Sequence, residues 1–142
     1  MQITAEYVRF RLQNAGSLQK TAFPVKRLDW KRDLPMIRRF YAHFTGDVIE
    51  PPAEEENIGT PYAITENGEI LSFALPFSFK AGETEIGAVM TLPAHRGKGY
   101  AKAVVTAVAA DILAAGNTAT LTTGIENAPM RAAALAAGMQ ET

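Results

Sequence analysis

Six consecutive residues, His95-Arg96-Gly97-Lys98-Gly99-Tyr100, gather the most chemically suggestive groups in the chain. Two glycines one residue apart free the main chain to turn successive N–H groups toward a common point. Arg96 and Lys98 add mobile positive charge. If a helix starts just after this turn, its first N–H groups have no intrahelical partner, and the helix dipole adds about half a positive charge there. The run is therefore a seat for an anion, and a diphosphate fits it. Each charge-assisted N–H to phosphate bond contributes on the order of 1.5–3 kcal/mol, so a few of them hold such a group without base-specific contacts.

The kind of diphosphate narrows by elimination. Gly99 stands where a Ser or Thr must follow the Gly-Lys pair of a Walker loop. Lys102 occupies the third glycine position of the dinucleotide fingerprint. The other groups with chemistry to offer are the carboxylates Glu83 and Glu85 just upstream, Asn127 downstream, and the imidazoles of His43 and His95. The sequence has no cysteine, which removes disulfides, thiolate metal sites and a cysteine acyl-enzyme together, and no metal site is expected. Net charge is −1 with charged residues at 20%, so there is no basic field to gather nucleic acid or anionic lipid. The first residues, Met1-Gln2-Ile3-Thr4, lack the basic and apolar regions of a signal peptide. Lys102 and Asp111 interrupt the most apolar stretch, and a cytoplasmic protein is expected.

The elements that must position the turn flank it closely. Before it, residues 86–92 are apolar on both alternating faces, the pattern of a central strand covered on two sides, and Pro93 ends the run. After it, Ala101, Val104, Val105, Val108 and Ile112 recur at the spacing of one buried helix face, with Gly116 as a left-handed cap. Downstream, residues 118–123 alternate as a strand, and Asn127 caps a short helix with Pro129 in its first turn and Gly138 past its end. Upstream, Glu66-Asn67-Gly68 joins residues 62–65 and 69–75 as a hairpin. Leu71, Phe73, Leu75, Phe77 and Phe79 are expected on one face, with Pro76 marking a bulge or the strand's end. Asp33-Leu34-Pro35 opens a helix carrying Ile37, Phe40, Tyr41 and Phe44 as far as Gly46. Residues 21–28 read as an edge strand because of Pro24. In the first 15 residues Val8, Phe10 and Leu12 alternate as in a strand, while Thr4 caps a possible helix bearing Tyr7, Val8 and Leu12; we read a helix. Residues 51–56 form a polar connection with an acidic run, which would favour a cationic amine if it faces an acceptor. The sum is an α/β fold, a mixed central sheet with flanking helices and one parallel crossover through residues 101–115.

Arg96, Gly99 and Ala101 satisfy the pattern Arg/Gln-x-x-Gly-x-Gly/Ala, and with the flanking order of elements the chain resembles the GNAT superfamily of acyl-CoA-dependent N-acetyltransferases. The resemblance covers roughly residues 23–139. It implies a single GNAT-like domain over residues 1–142, with an N-terminal arm (1–18), an acceptor-side half (19–83) and an acyl-CoA-binding half (84–142). It implies acetyl-CoA held by Val89, Met90, Thr91 and Leu92 along the strand, by Arg96, Gly97, Lys98, Gly99, Tyr100 and Ala101 at the turn, and by Asn127. The implied reaction moves the acyl group directly to a primary amine of a small molecule. A non-catalytic acyl-CoA-binding or sensor domain is the alternative.

An amine near its reference pKa of about 10.4 is free base only roughly once in a few thousand molecules at pH 7, so transfer needs deprotonation and alignment. Glu85 is the candidate base and Glu83 the second. The resemblance implies a tyrosine acid seven residues after the asparagine, where this chain has Ala134, and a serine where it has Met130. Tyr100 and Tyr62 are the substitute hydroxyls. The family's C-terminal strands are expected to be shortened or missing, since three residues follow Met139. That would leave residues 118–123 at an edge for the N-terminal arm or a homodimer partner to cover.

Overall fold

Alternation decides the N-terminal segment. In the computed structural model, which describes residues 6–19, 21 and 23–142, β1 (Tyr7–Leu12) is a strand with Val8, Phe10 and Leu12 buried and Tyr7 exposed. The helix expected there is corrected: a period of two places all three apolar side chains on one core, which a helical turn would scatter. Thr4, the cap of that helix, lies outside the described residues.

The remaining elements are β2 (Lys26–Arg27), α1 (Leu34–Tyr41), β3 (Tyr62–Glu66), β4 (Glu69–Lys80), β5 (Glu83–Thr91), α2 (Tyr100–Ala114), β6 (Thr118–Gly124), α3 (Ala128–Ala137) and β7 (Gln140–Glu141). Among the described residues the strands form one mixed sheet ordered β2-β3-β4-β5-β6-β1-β7. β2 is the outer strand as Pro24 implied, but only two residues long, because the strand starts after the proline, which has no N–H to give. Ahead of that proline the Phe23 amide turns to the Thr21 hydroxyl at 3.3 Å. α1 ends at Tyr41, short of Gly46, and single turns carry the chain on through Phe44. Its N-terminal Asp33 accepts from the Asp29 amide at 2.8 Å rather than capping its own helix.

The β3–β4 hairpin turns on Asn67 (φ 52°) and Gly68 (φ 76°), the left-handed pair that a two-residue turn requires. β4 runs through Pro76 to Lys80, so the proline neither ends the strand nor carries its irregularities. Those fall elsewhere. One register shift at Leu71 turns that side chain to the α2 side, while Phe73 and Leu75 pack toward α1. The expected five-residue apolar face is thus split, and its far end, Phe79, is exposed.

The two faces of the sheet carry separate cores. α2 and α3 cover one, burying Val104, Val105, Val108 and Ile112 against Phe10, Ile86 and Leu121; α1 covers β3 and β4 on the other through Ile37, Phe40 and Phe73. β6 is not an edge. β1 pairs with it antiparallel along its whole length, from Tyr7↔Gly124 to Leu12↔Ala119, so the N-terminal arm meets that requirement within one chain. β7, two residues long, is paired to Phe10 and Arg11 of β1.

Candidate acyl-CoA cleft

β5 and β6 pair in parallel only over Glu83↔Thr118, Thr84↔Ala119 and Glu85↔Thr120, although β5 continues to Thr91 and β6 to Gly124. The strands part beyond Glu85. An extra residue in β5, where Phe73↔Met90 gives way to Leu75↔Gly87, bends the strand at Ala88 (φ 50°) and widens the gap. Past the bend the β6-facing amides and carbonyls of β5 have no strand partner among the described residues. The central strand is therefore not covered on both sides as expected: Ile86 is buried, but residues 87–91 are only half-buried.

The gap opens into a cleft of about 810 Å³. Val89, Met90 and Thr91 form one wall, Asn127, Met130, Ala133 and Ala136 the other, and the turn of residues 95–102 closes the end. The predicted cofactor residues Val89, Met90, Thr91, Arg96, Gly97, Gly99, Tyr100, Ala101 and Asn127 all line it; Leu92 and Lys98 do not. Gly97 (φ 77°) and Gly99 (φ 85°) are both left-handed, a conformation costing other residues roughly 1–2 kcal/mol. The amides of residues 97–102 donate to no acceptor among the described residues; the first helical bond of this end is Ala103 N–H to Gly99 O at 3.1 Å. Arg96 Nε donates to Thr91 O at 3.1 Å, tying the turn to the strand end. Tyr100 stands between Phe23, edge-on at 4.8 Å, and the stacked ring of His95 at 6.3 Å.

The ionisable side chains lining the cleft are His95, Arg96, Tyr100 and Lys102, with no carboxylate among them. Such a wall suits a polyanion. Asn127 Oδ1 accepts from the Met130 amide at 3.2 Å and caps α3, leaving its Nδ2 without a partner among the described residues. A diphosphate-bearing nucleotide with an extended amide arm therefore fits the donors present: free turn amides for the phosphates, free strand groups and Asn127 Nδ2 for the arm.

Glu85 stands where the strands part, outside the cleft lining, and its Oε1 accepts from Thr122 Oγ1 at 3.3 Å and Thr120 Oγ1 at 3.4 Å. Glu83 is tied by cations: Arg9 at 3.1 Å, Arg11 at 3.6 Å and Lys80 at 3.9 Å, with its own side chain 16% exposed. Tyr62 is no substitute acid in the cleft. Its hydroxyl donates to Asp111 Oδ2 at 2.5 Å, and burial followed by that carboxylate pushes its pKa well above the ordinary tyrosine value. Ala134, at the expected acid position, is fully buried beneath α3. Sequence reasoning missed Phe44, Lys102 and the α3 wall at Ala132, Ala133 and Ala136. Small residues at that spacing were the only available signal. It also missed the two threonines at Glu85, which alternation along residues 118–123 does place on one face.

Residues 76–135 match a family model described as FR47-like protein. No curated protein sequence matches the chain significantly. Among solved structures, one from Novosphingobium aromaticivorans assigned to the GNAT acetyltransferases superposes with a TM-score of 0.77 at 18% identity, covering 97% of this chain and 60% of that one. A GNAT-family acetyltransferase from Colwellia psychrerythraea gives 0.76 at 16% identity, covering 98% and 53%. The ribosomal-protein-S18-alanine N-acetyltransferase of Escherichia coli gives 0.63 at 19% identity, covering 84% and 78%. The chain thus spans little more than half the length of the first two.

Proposed function

We propose that this chain, which shares its fold with solved GNAT acetyltransferases, binds acetyl-CoA in the β5–β6 cleft and transfers the acetyl group directly to a primary amine of a small molecule. The observation that carries the reading is the row of unpartnered amides at residues 97–102, presented by two left-handed glycines into a cleft without carboxylates. Those amides, with Arg96 and Lys102, hold the diphosphate. The free edge of β5 from Val89 to Thr91 and Asn127 Nδ2 align the arm, and an amide near Val89 polarises the carbonyl. Bound acetyl-CoA supplies the acetyl group as a thioester.

Glu85 takes the proton from the acceptor nitrogen. The Thr120 and Thr122 hydroxyls both engage Oε1, which leaves Oε2 to do so. Glu83, held by Arg9, Arg11 and Lys80, serves as a tie between strands instead. Tyr100 belongs to the phosphate end, where its ring packs on His95, and acts as a cofactor contact rather than an acid. The departing thiolate is then protonated by water. The non-catalytic sensor reading gains its support from Ala134, buried where the family's acid is expected.

A thiol-release assay over a panel of primary amines separates the two. Amine-dependent release of CoA that falls at least tenfold in kcat in Glu85→Gln, with acetyl-CoA affinity unchanged, is the expected result. Tight acetyl-CoA binding with no release by any amine supports the sensor.

A further inference from the structure

We infer that the acceptor is an amine with an apolar stem, seated on the Phe77–Phe79 ring pair with its nitrogen at Glu85; this rests on the acyl-transfer reading above. Phe77 and Glu85 are direct cross-strand partners, so their side chains rise from the same face of the sheet with Cβ atoms about 5 Å apart. Phe79 stacks against Phe77 at 5.6 Å, the rings tilted by 31°, and is 69% exposed. A large ring shown to water contributes little to folding, whereas it offers an organic amine apolar area beside a carboxylate.

Gly87 extends the seat. A Cβ there would lie 2.8 Å from Phe77 Cε2, so the ring fills the place of the missing side chain and extends the apolar floor beside Glu85. Charge at the two neighbouring carboxylates differs sharply. Glu83 has three cationic partners; Glu85 has none among the described residues, only two hydroxyls on one oxygen. The cations of this face are thus gathered on Glu83, and Glu85 is left without a cationic partner among the described residues, open to a ligand ammonium. The segment bridged to Phe77 at Ile58 also carries Glu54, Glu55 and Glu56, all exposed, which add attraction for a cation without forming part of the seat.

The test compares 2-phenylethylamine with ethanolamine as acceptors for the wild-type chain and Phe79→Ser. The wild type should prefer phenylethylamine by about tenfold or more in kcat/KM, as contact with an apolar surface allows. Phe79→Ser should reduce that ratio to near unity through the phenylethylamine KM, with melting temperature and acetyl-CoA Kd unchanged. Equal use of both amines by the wild type, or a preference that survives Phe79→Ser, overturns the seat. If acetyl-CoA binds but neither amine is acetylated, the acyl-transfer reading has failed, and titration of phenylethylamine into the CoA-loaded protein then decides separately. Saturable binding lost in Phe79→Ser upholds the seat, and no binding overturns it.

Discussion

The two polar atoms of Asn127 can be pulled apart. Oδ1 caps α3 by accepting from the Met130 amide, and Nδ2, without a partner among the described residues, is the atom the proposed acetyl-CoA site uses. Asn127→Asp keeps the acceptor and removes the donor, so melting temperature should hold while acetyl-CoA affinity falls several-fold. Asn127→Ala should lose both, with about 1 kcal/mol of stability gone with the cap. Thermal melts paired with calorimetric titration check this. Tyr62 makes the second residue-scale prediction. Its pKa is raised in the folded chain by burial and by Asp111, so its contribution is fully present below the unfolded tyrosine value near 10 and is lost as pH rises toward the folded value. Denaturant melts from pH 9 to 11 should show stability falling with pH, and Tyr62→Phe should flatten that slope. That Glu85 lies on the central strand was legible in the sequence. Its hydroxyl partners were not, because Thr120 and Thr122 become neighbours only through a parallel pairing 35 and 37 positions away in sequence.

At the scale of elements, local pattern decided most outcomes and tertiary pairing the rest. The turn of residues 95–100 and the helix after it follow from glycine placement and apolar spacing, both local, and they formed as read. β1 could not be settled locally, since its sequence supports both periods; pairing with β6 on one side and β7 on the other chose the strand. The bulge at Ala88, which shapes the cleft wall, had one local mark in the neighbouring Gly87, passed over in favour of Pro76. Gly138 shows how tightly α3 is docked. It closes the helix at φ 103°, and a Cβ there would stand 1.7 Å from Ser17 O. Gly138→Ala should therefore cost roughly 3 kcal/mol or more, read as a large drop in urea midpoint or failure to accumulate folded protein. Gly97→Ala, where no atom lies within 4 Å, should cost only the backbone penalty of roughly 1–2 kcal/mol.

The whole molecule is a sheet that is closed at one end and forked in the middle. One core, under α2 and α3, joins both arms of the fork, and the other, under α1, belongs to the β3–β4 arm. Among the described residues no helix is long and apolar enough to cross a membrane. A ligand that enters the fork contacts both arms and should stabilise the fold as a unit. At a hundredfold excess over Kd, acetyl-CoA should add about 2.7 kcal/mol, a rise in melting temperature of roughly 8 °C for a chain of this size. The most direct measurement is a ¹H–¹⁵N NMR titration with CoA. Large amide shifts should concentrate at residues 97–102, with smaller ones at 89–91 and at Asn127, and Gly99→Asp should abolish them. Shifts centred instead on the small recess beside β7, at Arg11, Asn14 and Gln140, with the amides of residues 97–102 unmoved, would contradict a diphosphate seat at this turn.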